Sequence, residues 1–297
     1  MLSGLHPKTL FSENHQKLIS ALLFFVSLAL LWRFMDLFRN AVPQSFIIFW
    51  LLILGIYATL LYQIFRFGND CRWIGFILFQ IIVLALSFLL LPLIQTDKSF
   101  FLSDDVYTVT KCIEYIRQGG RDFLTTGGPD YGRWPFNNIF LLNISLVSGL
   151  ELFAVAYWLP SIMSALGLIF FYLLAKMVYI ESRVALLTAL AFGSLYQFNS
   201  THQSAHPEYL AIILIAICLY TYFKKLSHVG LVAVKYSVIA LLFLAALPFT
   251  NVTSSSIFLA LTLLMLLASL AFRFVGVHKA NSTITFGAIL PFVVIAT

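Results

Sequence analysis

Charge is what this sequence has least of. Only 10% of its 297 residues are Asp, Glu, Lys or Arg, and just twelve of them are acids. Soluble domains carry about 25% charged and about 45–50% apolar residues. Here the apolar share is 61%, the aromatic share 16% and the mean hydropathy +0.96. A water-soluble globular domain is excluded. Cysteine is scarce too: Cys71, Cys112 and Cys218 form an odd set without metal-ligand spacing, so no disulfide framework is expected. No Gly-rich phosphate loop of the P-loop or dinucleotide kind is present. The formal net charge of +6 is spread thinly over short loops, which fits membrane topology better than nucleic-acid binding.

What remains is a series of long apolar runs, each able to cross a bilayer as a helix. They fall at about 18–38, 45–65, 74–94, 152–175, 184–198, 207–223, 231–249 and 256–275, and a ninth begins near Ile284. The runs are continuously apolar, without period-2 alternation, so helices are expected rather than a barrel. The expected fold class is all-α: a polytopic transmembrane helical bundle of about eight or nine spans, with one large outward-facing loop. The first run, Leu18–Trp32, follows Lys8 and Lys17 as a signal peptide would. More apolar sequence follows Ser27 and Ala29, which favours an uncleaved span. The last run is cut off at Thr297, and the sequence is expected to be an N-terminal portion of a longer protein.

Three regions result: a three-span region over 1–94, a loop over 95–151, and a further transmembrane region over 152–297. Loop cations set the expected orientation. Lys8, Lys17, Arg66, Arg72, Lys176, Arg183, Lys224, Lys225, Lys235, Arg273 and Lys279 fall on the side of the N-terminus, eleven of eighteen. The short turns 199–206 and 250–255 on the other side hold no Lys or Arg. Short loops decide orientation, so a cytoplasmic N-terminus is expected, with 95–151 outside.

Half of the twelve acids lie between residues 97 and 130: Asp97, Asp104, Asp105, Glu114, Asp122 and Asp130. Val106, Val109, Ile113 and Ile116 recur there at helical spacing, opposite Lys111, Glu114 and Arg117. The pattern predicts an amphipathic helix in the membrane interface, capped by Ser103 and stopped at Gly119-Gly120. The turn-rich "TTGGPDYGRWP" (125–135) comes next, then the apolar but short 136–149, expected to be interfacial or re-entrant.

Asp104 and Asp105 admit two readings. Acids at a helix start complement its dipole, worth about 0.3–1 kcal/mol each. Alternatively, they supply a general base or a cation-binding pair at the membrane surface. Glu208 lies two residues into an apolar run, and an ionisable residue within a span is a functional hypothesis by default. It also suits the first turn of a helix after Pro207. His202 and His206 precede it; they could ligate a metal, but histidines in a polar turn are more often simply solvated. Arg133 could clamp a phosphate or anchor the short helix in the interface. Asn137 and Asn138 could add hydrogen bonds or cap that helix, and the polar turn around Asn251 could line the same cavity.

The order of these features resembles the GT-C superfamily of polytopic glycosyltransferases, in particular the protein O-mannosyltransferase and aminoarabinose-transferase branch. A span leads to "DD" and a surface helix, then a Gly/Pro turn closed by "RWP", a short apolar helix ending in Gly, the inner turn Lys176–Arg183 and the Pro207-Glu208 step. The resemblance covers about residues 85–270 and lies in motif order more than in identities. It implies transfer of a sugar from a polyprenyl-phosphate carrier to a protein, lipid or glycan acceptor on the outer face. It implies Asp104 as base, Asp105 orienting it or holding a divalent cation (Mg²⁺ or Mn²⁺) with His206, and Glu208 as a second acid. It further implies Arg133, Asn137, His206 and Asn251 as substrate- and phosphate-binding residues. The membrane would be a prokaryotic plasma membrane, or the endoplasmic reticulum in a eukaryote. Two spans ahead of the usual first one, Arg-Trp-Pro in place of a double-Pro motif, and Thr250-Asn251 where a basic residue is common depart from that pattern. A transporter or flippase, and a non-catalytic protein of the same fold, are the competing classes.

Overall fold

The computed structural model describes residues 12–38, 43–95, 104–118, 135–195 and 208–251, with short pieces up to residue 263. Every element among them is an α-helix. In chain order these are α1 (Glu13–Phe38), α2 (Pro43–Phe67), α3 (Cys71–Gln95), α4 (Asp104–Arg117), α5 (Pro135–Ser148), α6 (Leu152–Tyr179), α7 (Ser182–Ser194), α8 (Glu208–Leu226) and α9 (Gly230–Thr250). Residues 254–256 and 258–260 are helical too.

Five helices are long and apolar enough to cross a bilayer: the segments Glu13–Phe34, Ile47–Phe67, Cys71–Leu90, Leu152–Tyr179 and Gly230–Thr250. Their outer faces are greasy; Leu22, Leu23, Trp50, Leu51, Leu54 and Leu242 are exposed, as expected of lipid-facing positions. The protein is therefore a multi-pass membrane protein, all-helical among the described residues. The expected span 184–198 is a helix of 13 residues, α7, only about 20 Å long at 1.5 Å per residue.

The helices divide into two packed halves joined by α6. In one, α1, α2, α3, α6 and α7 share a core of Phe24, Leu31, Ile56, Leu60, Ile81, Leu84, Leu168 and Leu190. In the other, α8 and α9 pack along their whole length around Tyr209, Leu214, Leu244 and Leu247. Bilayer interiors give no hydrophobic drive for helix pairing, so close van der Waals fit must hold such a bundle. Not every polar group in it is matched: Gln63 and Gln80 are fully buried, and their amides have no hydrogen-bond partner among the described residues.

One end of the bundle gathers cations. Lys17 at the start of α1 reaches Asp70 in the α2–α3 turn at 2.6 Å and Glu13 at 2.8 Å, and lies over the rings of Phe67 and Trp73. The Arg183 side chain lies over Gly68 in that turn. In the α6–α7 connection, the Lys176 ammonium donates to Ser182 Oγ at 2.7 Å and to the Ile180 carbonyl.

The third cluster concerns the expected interfacial helix. Val109 and Ile113 of α4 are completely buried against Leu141 of α5 and Val155 and Ala156 of α6, while Lys111, Glu114 and Arg117 are exposed. The amphipathic pattern is as read from sequence, but protein covers the apolar face rather than lipid. Burial among side chains of matching shape gains dispersion contacts that a fluid acyl layer does not hold fixed.

Candidate functional site

Contacts between helices set the relative heights of the candidate residues. Gly167 of α6 lies so close to α8 that a Cβ there would stand 2.9 Å from Ile213 Cγ1. Further along, the rings of Phe170 and Tyr220 meet at 6.4 Å, so α6 and α8 run parallel. About five residues earlier on each helix, Glu208 stands level with Ile162. In the α8–α9 hairpin the Cys218 thiol approaches the Ala240 carbonyl at 3.7 Å. About ten residues away from that contact, Glu208 comes level with Thr250.

A second hairpin, α5–α6, turns at Gly149, whose φ of +70° suits a residue without a Cβ. Its amide donates to the Ser145 carbonyl at 2.9 Å and closes α5. Phe136 and Phe140 then pack with Met163 and with the α8–α9 core, bringing the start of α5 to the same height. Pro135 opens α5 where a helix tolerates a missing N–H.

One level of the bundle therefore carries Asn137 and Asn138, Ser161 and Ser164, Glu208 and Tyr209, and Thr250 and Asn251. All except half-buried Glu208 are buried. Ser161 follows Pro160, which lies inside α6 and leaves the Ala156 carbonyl without its helical donor. The Ser161 hydroxyl has no hydrogen-bond partner among the described residues. Buried polar groups are normally paired, so an unmet hydroxyl at such a level suits a polar ligand.

Individual residues fare differently. Glu208 is the first residue of α8, where a carboxylate complements the helix dipole. Asn251 ends α9 and caps the short helical turn beyond it: its Oδ1 accepts the Ser254 amide at 2.8 Å and its carbonyl accepts the Ser255 hydroxyl at 2.7 Å. That leaves only its amide NH₂ for a substrate. Asp104 and Asp105 open α4, at the helix end with unsatisfied backbone N–H groups. Their side chains lie outside the described residues, as do Arg133 and His206 entirely. Val109 and Ile113 anchor α4 beside Val155, about 10 Å along α6 from the polar level.

The sequence reading does not single out Ser161, Ser164 or Tyr209, and it names Thr250 only as a departure beside Asn251. The signal was there: polar residues three apart after a proline in a span warrant attention. Among the described residues, no three His, Cys, Asp or Glu side chains stand close enough to share a metal ion. Of the residues suggested for a cation, the Asp105 side chain and His206 lie outside that search.

No protein family, curated protein or solved structure matches this chain.

Proposed function

We propose that this protein is a membrane glycosyltransferase whose active site is the polar level between α5, α6, α8 and α9. It would transfer a sugar from a polyprenyl-phosphate carrier to an acceptor hydroxyl on the outer face. The observation that supports this is the convergence of polar side chains and helix ends from four elements at one height, next to the anchored acidic helix α4. In this reading the cation-bearing end of the bundle is cytoplasmic, α7 and α8 count among eight or nine spans, and residues 95–151 face outward.

The chemistry needs few parts. Asp104 takes the proton from the acceptor hydroxyl as its oxygen attacks the anomeric carbon. The bond from that carbon to the phosphate oxygen breaks, its electron pair leaves with the phosphate, and the anomeric configuration inverts. General-base assistance of this kind contributes about 10²–10⁴-fold. Asp105 orients the base, Glu208 and Asn137 hold sugar hydroxyls, and Arg133 neutralises the departing phosphate bidentately. His206 and the Asn251 amide complete the phosphate side. No step is assigned to a metal.

The test uses the full chain in liposomes with radiolabelled polyprenyl-phosphate hexose or pentose. Transfer of label to a hydroxyl acceptor, with release of polyprenyl phosphate and inversion, is the expected result. Movement of intact donor across the bilayer without cleavage would replace this reading with a flippase.

A further inference from the structure

A groove of about 490 Å³ lies between α1 and α2, on the lipid-facing side of the first half. It is lined by Gln16, Ile19, Ser20 and Leu23 of α1 and by Ala58, Thr59 and Tyr62 of α2. The helices are antiparallel here, so Gln16 and Tyr62 form one end while Leu23 and Ala58 form the other. The Gln16 end is the end where Lys17 meets Asp70.

Polarity changes along the groove. Ser20 and Thr59 are already satisfied, donating to the Lys17 carbonyl at 2.9 Å and the Gly55 carbonyl at 2.7 Å. Their walls are effectively apolar, like Ile19, Leu23 and Ala58. The mouth differs. Neither the Gln16 amide nor the Tyr62 hydroxyl has a hydrogen-bond partner among the described residues. Arg66 follows Tyr62 by one helical turn, so it projects from the same face beside the mouth. It is exposed, and the ion pairs of the described residues are those of Lys17, leaving Arg66 without one. Lys17 itself is committed to Asp70 and Glu13.

We infer that this groove is a binding site for an acidic glycerophospholipid. One acyl chain lies between α1 and α2 against Ile19, Leu23 and Ala58. The phosphodiester sits at the mouth, where the Arg66 guanidinium gives charge complementarity and Gln16 and Tyr62 donate. A zwitterionic lipid offers the same chain, but its positive headgroup stands beside Arg66. Charge, not shape, is therefore the selector. The site is separate from the polar level, and it stands or falls independently of the transferase reading.

The experiment is lipid retention by the full chain after release from nanodiscs of equal phosphatidylglycerol and phosphatidylcholine, read by native mass spectrometry. Wild type is expected to retain phosphatidylglycerol about tenfold over phosphatidylcholine, a preference that one charge-assisted contact supplies. Arg66→Gln is expected to abolish the preference while still retaining lipid. Ala58→Phe, which fills the exposed groove, is expected to lower retention of both. Thermal unfolding of each variant checks that it folds, and Leu23→Phe is the substitute if Ala58→Phe does not. Equal retention of the two lipids by wild type, or an unchanged preference in Arg66→Gln, would overturn the site. So would displacement of phosphatidylglycerol by inorganic phosphate, because the chain would then have no part in binding.

Discussion

Lys17 and Asp70, 53 positions apart, meet at 2.6 Å and tie the start of the first helix to the turn between the second and third. The Lys17 ammonium holds the Asp70 carboxyl below its ordinary range, with help from the Arg72 backbone amide. A carboxylate with a depressed folded pKa contributes stability above the unfolded value, near pH 4, and that contribution is lost as pH falls through the folded value. Lys17 lies over the Trp73 ring at 6.0 Å, so Trp73 reports the contact. Its fluorescence is expected to change only below about pH 4. In Asp70→Asn it should already sit at the acid value at neutral pH. An identical acid transition in Asp70→Asn would assign the change to another group.

Gly167 fixes the height of α8 on α6. A Cβ at this position meets the Ile213 side chain at 2.9 Å, a clash with a movable partner. Gly167→Ala is expected to destabilise by about 1–3 kcal/mol, and Ile213→Ala, by removing the Cγ1 that the new methyl meets, to restore part of the loss. Thermal unfolding of the two single variants and the double variant checks this. Additive losses would show that the helices are not in register at this contact.

Gln80 is fully buried with neither amide oxygen nor nitrogen bonded among the described residues. Removing an unmet buried polar group is favourable. Gln80→Leu is expected to raise thermal stability by about 1–3 kcal/mol. A loss of that size would reveal a partner for the amide.

Orientation is tested by labelling. Cys71 is the exposed native cysteine, whereas Cys112 and Cys218 are buried, so Cys71→Ser gives a quiet background. A cysteine at Gly128 is expected to react with an impermeant maleimide in intact cells, and one at Ser227 only after permeabilisation. The reverse would invert the protein and move its polar level to the cytoplasmic half.

Helix positions were legible because continuous apolar runs have few other stable forms in lipid. The seven described apolar runs all appear as helices within a few residues of their expected limits, and five of those helices, all but α7 and α8, are long and apolar enough to cross a bilayer. At α1 the helix begins at Glu13 rather than near 18, where the Glu13–Lys17 pair spans one turn. At α7 it stops at Ser194, four residues short of the expected 198, and Leu195 is already extended. The amphipathic face of α4 was legible as well, but not what covers it. Periodicity shows that a face is apolar and says nothing about whether Leu141 or an acyl chain meets it. The polar level was out of reach for a related reason. It exists because of offsets between helices, set by contacts such as Gly167–Ile213 and Cys218–Ala240. Glu208 and Asn251 are candidates by sequence alone, but only those offsets put them level with Ser161. Asp104 and Asp105 were legible at the start of α4, where acids complement the helix dipole.

The most direct measurement is the transfer rate of Asp104→Asn in the liposome assay. The substitution keeps shape and most hydrogen bonding while removing the proton acceptor. Transfer is expected to fall about 10²–10⁴-fold, with expression and carrier binding little changed. Asp105→Asn is expected to be milder. If the acids serve only the dipole of α4, Asp104→Asn costs no more than about 1 kcal/mol of local stability, and transfer continues at the wild-type rate. That result, in a protein shown to transfer sugar, would remove Asp104 as the base and contradict the mechanism.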